Sequence, residues 1–250
     1  MRKIVWIDVG THFAQEHTSI FGSNIRFYLF VFKRFLGGKL LKRGKFVSFR
    51  ELRVILKSRT AIRKKSDNFF RIFIEANPKV VKKKNFYPEA DMLFNLAMTD
   101  EKSRPVSIAK LYIGNGDVLS EGNSLFKEKY TSEEQSYIAT LGAASKTFFD
   151  ELSLYLDKKF GEYIVLLRLN CEGVEDTVIY SVSESFGKKL KLVCGSLKDV
   201  EELKGTDAAE SLDKFMQAKE LSFIKFSSGI YSWPDAHTAI LELIDGNNGQ

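Results

Sequence analysis

Acidic and amide side chains follow three apolar stretches of the sequence, at the point where each stretch ends. Asp8 closes the run IVWID near the N-terminus, Glu75 follows FFRIFI, and Asn170 follows YIVLLRL. The carboxyl ends of parallel strands meet at one edge of a sheet, and a carboxylate there commonly holds the hydroxyls of a ribose. Taken alone, Glu75 is better explained as a surface glutamate before an Asn-Pro turn, but the three side chains together predict one site for a nucleotide-type ligand.

The loop after Asp8 has the sequence VGTHFAQ and contains one glycine, Gly10. A dinucleotide-binding loop has the pattern G-x-G-x-x-G, whose backbone amides cradle a pyrophosphate, and the loop lacks that pattern. Asp8 would also repel a pyrophosphate. A ligand with a sulfonium or an ammonium group suits an acid at this position better. The alternative is an ordinary strand-to-helix turn with a solvated aspartate.

Two glutamates flank a glycine in the segment LLRLNCEGVEDTVI, residues 166–179. Glu172 and Glu175 would share one face if a helix began here, near the helix end that favours acids. The alternative is that both are ordinary helix-start acids that complement the helix dipole. With Asn170 they could also hold a divalent metal, but three oxygen donors inferred from a sequence make a weak case.

The elements that must position these residues follow from hydrophobic periodicity and turn signals. We predict strands at 4–9, 69–78, the second half of 90–100, 105–114, 162–173, 188–197 and 221–228. We predict helices after a turn at 11–20, at 24–36, 48–65, 133–161, from Val174, at 198–220 and at 232–244. Ser48 and Glu51 form a capping-box pattern at the start of one helix. Strands that alternate with helices predict an α/β fold with a mainly parallel sheet and helices on both faces.

The charge of this 250-residue chain is unevenly distributed. Its net charge is +6, but residues 26–65 hold fourteen Lys or Arg and one acid, Glu51, which gives +13 locally and leaves −7 elsewhere. Asp8 and Glu75 are also separated by far more chain than the roughly 20 residues that separate such tips in a simple βαβ unit. We interpret residues 22–67 as a basic helical insertion, or cap, within a single domain of residues 1–250.

Aromatic residues lie among these charges, and they leave three interpretations open. They are Phe27, Tyr28, Phe30, Phe32, Phe35, Phe46 and Phe49. They could form the core of the cap, which suits most of them best. They could instead stack on the sugars or bases of an anionic acceptor or a nucleic acid. A membrane-surface helix at 24–36 is the third interpretation, which would make a peripheral membrane contact.

Cysteine usage and hydropathy predict the compartment. Cys171 and Cys194 have neither metal-ligand nor disulfide-framework spacing, which indicates a reducing environment. Asp8 interrupts the first apolar run before it reaches the length of a signal peptide, and the run FYLFVF is too short to span a bilayer. These features predict a soluble cytoplasmic protein whose oligomeric state is open. His17 and His237 show no pattern typical of a site.

Taken together, the motifs resemble those of the FkbM-type methyltransferase family. The segments IDVGTHFAQ, FIEANP, LAMTD, GNSL and LRLNCEGVE occur in that family's order, and the resemblance covers residues 4–16 and about 69–180. Members have a Rossmann-like fold, bind S-adenosylmethionine and generally methylate hydroxyl oxygens of sugars or natural products. The resemblance implies S-adenosylmethionine as the cofactor and a saccharide or related acceptor, possibly anionic.

The resemblance also implies roles for individual residues. The methionine end of the cofactor would be lined by Asp8, Gly10, Thr11, His12 and Gln15. The ribose would be held by Glu75, and the adenine would lie against Ala97 and Met98. The transferred methyl group and the acceptor would face Asn170, Glu172 and Glu175. The candidate bases for the acceptor hydroxyl are Glu172, Glu175 and His12.

Three positions depart from the family pattern. Ala14 stands where the family usually has a second glycine, His12 where Asn is more common, and Asn170 where Asp is usual. These departures support an alternative from another class of protein. In that alternative, a non-catalytic module with a degenerate cofactor site binds nucleic acid or an anionic surface through residues 26–65. The sequence leaves the acceptor and the methylated atom open.

Overall fold

The computed structural model describes residues 2–35, 47–83, 87, 89–100, 104–114, 117–119, 122–130 and 136–246. The order of its helices and strands is β1 (Lys3–Val9), α1 (Gln15–Ile20), α2 (Asn24–Phe35), α3 (Phe49–Arg63), β2 (Phe69–Ile74), α4 (Pro78–Val81), β3 (Met92–Phe94), β4 (Ala97–Thr99), β5 (Val106–Tyr112), β6 (Tyr137–Ala144), α5 (Ser145–Phe160), β7 (Tyr163–Leu169), α6 (Glu175–Phe186), β8 (Leu190–Gly195), α7 (Lys198–Lys204), α8 (Thr206–Ala218), β9 (Phe223–Lys225) and α9 (Trp233–Gly246).

Six strands form one sheet in the order β3-β2-β1-β7-β8-β9, and every neighbouring pair is parallel. Counted within this sheet alone, the order is 3-2-1-4-5-6, which is the order of doubly wound, Rossmann-like sheets. The order reverses between β1 and β7, and ligands of such sheets bind outside the carboxyl ends of the strands at that point. The structure thus confirms the predicted α/β fold with a parallel sheet.

Both faces of the sheet are buried because the central strands are apolar at nearly every position. Val5 and Ile7 of β1 point to one face, where helices α5 and α6 pack. Ile4 and Trp6 point to the other face, where α3 and α9 pack. These four side chains are fully buried. Continuous apolar strands covered on two sides are typical of parallel sheets.

Helix α3 begins as the sequence predicts. The Ser48 hydroxyl accepts a hydrogen bond from the Glu51 amide at 3.2 Å, and the Glu51 carboxylate accepts one from the Ser48 amide at 2.6 Å. Its buried side, with Ile55 and Ile62, packs against α9. A parallel pair such as β1 and β2 needs a crossover connection, and α3 supplies it. The crossover thus includes part of the segment 22–67, whose assignment as an insertion within a single domain stays a prediction.

Two predictions need correction. In segment 90–100 the structure has two short strands, and only β3 joins the large sheet, while β4 pairs with β6 in a three-stranded sheet of order β4-β6-β5. In segment 133–161 the predicted helix holds from Ser145 to Phe160, but Tyr137–Ala144 form β6. Pairing with β5 outweighs the helix propensity of this alanine-containing segment. Residues 133–135 and Phe46 lie outside the described residues.

The structure also bears on the predictions about membranes and cysteines. Within the described residues, no helix is both long and apolar enough to cross a membrane. Cys171 and Cys194 are free thiols, and Cys194 is buried in the large sheet.

Two histidines lie inside the core on the face covered by α3 and α9. His17 of α1 packs against Phe73 and Phe21. His237 of α9 is stacked on Trp233, and its Nε2 lies 3.0 Å from the Ser19 hydroxyl. Burial lowers the pKa of each histidine to about 3, with a further contribution from Arg71 at His17. Both side chains are therefore neutral at neutral pH.

We expect acid to destabilise the fold through these histidines. The folded pKa lies below the unfolded one, so between pH 6.5 and about 3 the unfolded chain binds protons that the folded chain does not, and the free energy of unfolding falls as pH falls. Each histidine contributes up to about 1.4 kcal/mol per pH unit. His237→Gln should flatten the dependence by that amount in urea unfolding across this window. An unchanged slope in the variant would contradict the expectation.

Candidate functional site

A cavity opens at the carboxyl edge of the large sheet, between the ends of β1 and β7. Its volume is about 760 Å³, counted to its open mouth. Its walls come from the loops after β1, β2 and β7, from β4 and β5, and from residues 123–125. None of the described residues of 22–67 lines it, so the structure does not bear out the prediction that this segment caps the site.

Nine of the predicted site residues line this cavity. They are Gly10, Thr11, His12, Gln15, Glu75, Ala97, Met98, Asn170 and Glu172. The structure therefore brings together residues from four separated segments of the chain. Two predicted residues, Asp8 and Glu175, lie behind the cavity walls and are fully buried.

Glu75 holds the loops after β1 and β2 in place. Its carboxylate accepts hydrogen bonds from the amide of His12 and the amide of Asn77, each at 2.7 Å. Burial raises the pKa of Glu75 to about 7, and the two amide hydrogen bonds oppose that rise. Each carboxylate oxygen has a second lone pair that can accept a hydrogen bond from a ligand.

The backbone amides of the loop after β1 are occupied by partners within the protein. The amides of Gly10 and Thr11 donate to the carbonyl of Ile74, at 2.9 and 3.4 Å. The amide of His12 donates to Glu75, and that of Ala14 donates to the carbonyl of Thr11 at 2.8 Å. The loop therefore does not offer these amides to a phosphate group.

A glycine is needed at position 10 because the backbone at the end of β7 lies too close for a side chain. The φ of Gly10 is +71°, and a Cβ at this position would lie 2.0 Å from the carbonyl oxygen of Asn170. The close approach is thus to the end of β7. Ala14, four residues later, also has a left-handed conformation, with a φ of 50°. A glycine would be favoured there, as the family pattern has it.

A buried ion cluster lies beneath the cavity. Asp8 and Arg168 are neighbours across β1 and β7, and their side chains form an ion pair at 2.9 Å. The same guanidinium pairs with Glu16 of α1 at 2.7 Å and donates to the carbonyl of Gly10 at 3.1 Å. Burial raises the pKa of Asp8, and Arg168 opposes that rise. Asp8 therefore fixes Arg168, a cavity-lining residue, and does not itself face the cavity as predicted.

Glu175 fixes the loop after β7. Its carboxylate accepts the amides of Cys171 and Gly173 at 2.7 and 2.8 Å. Helix α6 begins at Glu175, so Glu172 precedes the helix, with a φ of 58°. The two glutamates therefore do not share a helical face. Glu175 does not line the cavity, because its buried carboxylate accepts amides of its own loop, and its role toward the acceptor stays a prediction.

Glu172 lies at the cavity wall and is paired with a lysine that the sequence analysis missed. Lys129 contacts Glu172 and also pairs with Asp199 at 2.6 Å. Burial raises the pKa of Glu172 to about 7, and the charge of Lys129 opposes that rise. Nothing in the sequence pattern indicates this pair, because Lys129 comes from the connection between β5 and β6.

His12 lines the cavity with its ring held by the protein. Its Nε2 lies 2.8 Å from the carbonyl of Leu119, so this nitrogen carries the proton. Its backbone is left-handed, with a φ of 47°. In this tautomer Nδ1 is the nitrogen that accepts a proton, so His12 and Glu172 both stay candidates for a base.

Other residues of the site lacked a clear signal in the sequence. Asn77 supports the wall, since its side chain donates to the carbonyl of Val118 at 2.6 Å. Arg168 could have been noticed in the sequence, because a cation in an otherwise apolar strand needs a buried anion as its partner. Within the part of the chain that the structure describes, no group of three or more His, Cys, Asp or Glu could hold a metal ion.

Comparisons with known proteins give no match for this chain, whether to a family model, a curated protein or a solved structure. The resemblance to FkbM-type methyltransferases therefore stays a prediction from the motifs.

We expect alanine at Gly10 and glycine at Ala14 to have very different effects. Gly10→Ala adds left-handed strain and a clash with the Asn170 carbonyl, which together cost about 2–5 kcal/mol. Ala14→Gly relieves about 1–2 kcal/mol of strain, but it loses a buried methyl group and gains unfolded-state entropy, so the net change stays within about 1 kcal/mol. Urea unfolding measures both. Equal losses at the two positions would contradict the assigned backbone conformations.

The buried ion cluster predicts that removing its acids restores stability lost when its cation is removed. Arg168→Met leaves Asp8 and Glu16 buried without their counter-charge, which should lower the free energy of unfolding by about 3–5 kcal/mol. Adding Asp8→Asn and Glu16→Gln to that variant removes both charges and should restore much of the loss. If urea unfolding finds the triple variant as unstable as Arg168→Met, packing and not charge is what Arg168 contributes.

Proposed function

We propose that the protein is an S-adenosylmethionine-dependent O-methyltransferase with a Rossmann-like methyltransferase fold, acting on a hydroxyl of a saccharide or related acceptor. One observation carries the proposal. The cavity at the switch point of the sheet has a carboxylate, Glu75, at the tip of β2 but presents no row of open amides in the loop after β1.

The loop after β1 argues against a dinucleotide. A pyrophosphate needs several backbone donors at this point, and the amides of Gly10, Thr11, His12 and Ala14 are already bonded within the protein. The buried carboxylates around the floor would also repel it. A nucleoside without phosphates meets neither obstacle.

The side chains that line the cavity suit the ribose, the adenine and the methionine part of S-adenosylmethionine. Glu75 can accept hydrogen bonds from ribose hydroxyls through its remaining lone pairs. Ala97 and Met98 are apolar and line the cavity, which suits an adenine ring. Gly10, Thr11, His12 and Gln15 would then lie along the methionine part.

The charge of the site favours a cationic ligand. The Arg168 guanidinium is shared between two carboxylates, Asp8 and Glu16, so the cluster carries an excess negative charge when both carboxylates are ionised. Glu75 adds to it when ionised. A sulfonium is attracted by this field, whereas a phosphate is repelled.

The residues of the chain supply alignment and a base. S-adenosylmethionine, when bound, provides an electrophilic methyl group on its sulfonium. Holding an acceptor oxygen in line with that group can contribute on the order of 7–11 kcal/mol. Glu172 is placed to accept the proton of the acceptor hydroxyl, and a pKa of about 7 suits a base at neutral pH. Asn170 lies beside it in the cavity wall.

A second cleft adjoins the cavity and is our candidate for the acceptor site. The two share Leu125 and Val174, and the second cleft has a volume of about 930 Å³. Aromatic and cationic side chains line it, among them Tyr112, Phe126 and Lys110. Aromatic faces and polar groups suit a sugar ring, and a lysine suits an anionic substituent.

Calorimetric titration with S-adenosylmethionine and S-adenosylhomocysteine tests the cofactor site. We expect Glu75→Gln to weaken binding at least about tenfold, because an amide cannot accept through both oxygens as the carboxylate does. The affinity of the wild type for S-adenosylmethionine should increase as pH is raised through about 7, where Glu75 loses its proton. The increase should be smaller in the variant, because position 75 no longer ionises while Glu172 still loses a proton near pH 7.

The matched control is Glu162→Gln, because the Glu162 side chain is exposed and lies outside the cavity lining. It should bind both ligands like the wild type, and urea unfolding checks that Glu75→Gln remains folded. If the wild type binds neither ligand, the proposal fails. Binding of nucleic acid through residues 26–65 in that case would favour the non-catalytic module.

A further inference from the structure

Helix α2 presents an apolar face that the described part of the protein leaves uncovered. Ile25, Tyr28, Leu29 and Phe32 follow one another at the spacing of a single helical face. Their exposed fractions are 74%, 56%, 63% and 59%. We call these four residues the α2 face. An exposed apolar cluster of this kind marks a surface that contacts another molecule.

The opposite side of α2 anchors the helix to the protein. Phe27 is buried, and Phe30 stacks on Trp233 with a centroid distance of 5.1 Å. The Arg59 guanidinium lies over the Phe27 ring at 4.6 Å. Because this side already fixes α2 to the core, the α2 face is additional apolar surface that the described residues leave exposed.

The segment of the sequence that contains the α2 face is strongly basic. Arg26 on the same helix is exposed, as are Arg50, Arg53 and Lys57 on α3. In the sequence, residues 26–65 carry a local charge of +13 while the remainder carries −7. Apolar side chains combined with Lys and Arg are typical of helices that lie in the interface of an anionic membrane.

Charge argues against a second copy as the occupant of this face. Pairing two α2 faces would bring two segments of +13 together, and like charges oppose that contact. An anionic lipid surface satisfies both features at once, since its headgroups attract the cations and its acyl region accepts the apolar side chains.

We propose that the α2 face docks the protein onto an anionic membrane surface. Leu29 and Phe32 enter the acyl boundary, and the exposed cations of α2 and α3 contact the headgroups. The proposal is independent of the cofactor site, because none of the described residues of α2 or α3 lines the cavity.

Sedimentation with vesicles of phosphatidylcholine, with and without phosphatidylglycerol, tests the proposal. We expect binding to the anionic vesicles to be at least about tenfold stronger, and to weaken with added salt. Leu29→Ser with Phe32→Ser should reduce it at least about tenfold. Arg50→Ser with Arg53→Ser should reduce it by about tenfold or more.

The matched control is Leu154→Ser. Leu154 is 64% exposed, close to the 63% of Leu29, but it lies on α5, which covers the other face of the sheet. This variant should bind vesicles like the wild type. Circular dichroism and urea unfolding confirm that each variant is folded, which is expected because the substituted side chains are exposed.

Three results would overturn the proposal. The first is vesicle binding that does not change in Leu29→Ser with Phe32→Ser. The second is competition by single-stranded RNA for a site that depends on Arg50 and Arg53 but not on Leu29 and Phe32, which would indicate a nucleic-acid surface. The third is a dimer, detected by light scattering, that the Leu29 and Phe32 substitutions dissociate in a protein that does not bind vesicles.

Discussion

The buried cluster of Asp8, Arg168 and Glu16 is the interaction on which the site depends. It joins the two strands at which the sheet order reverses, and it joins both to α1. Burying ions costs free energy unless each is paired and hydrogen-bonded. The guanidinium therefore fixes the relative positions of β1, β7 and the first loop, and the floor of the cavity follows from that arrangement.

Two further acids stabilise the cavity walls in the same way, by accepting backbone amides. Glu75 after β2 and Glu175 after β7 each accept two backbone amides of the loops that line the cavity. Loops at a switch point leave amides without strand partners, and a buried carboxylate satisfies two of them at once. An acid at such a position can therefore accept hydrogen bonds from the loop, from a ligand or from both. Glu75 lines the cavity and can bind both, whereas Glu175 binds only the amides of its own loop.

The sequence predicted the strands at the centre of the sheet because β1, β2 and β7 are almost entirely apolar. It did not predict β6, since a strand in a small sheet depends on pairing with β5 that no local pattern encodes. Glu75 and Asn170 followed from the ends of the strands, whereas Ala97 and Met98 followed only from the resemblance to a family. The prediction that Glu172 and Glu175 share a helical face was wrong, because spacing alone does not tell where a helix begins. Lys129 and Arg59 act across long sequence separations, which periodicity does not detect.

The pairing of Lys129 has a consequence for proton transfer. Lys129 belongs to a short turn at 127–129 between β5 and β6, while Glu172 belongs to the loop after β7. The ionisation of Glu172 thus depends on the ammonium group of Lys129, which also pairs with Asp199. If the turn moved outward, Glu172 would lose its counter-charge and take up a proton. The turn at 127–129 therefore helps to decide whether the cavity wall carries an acid or its conjugate base.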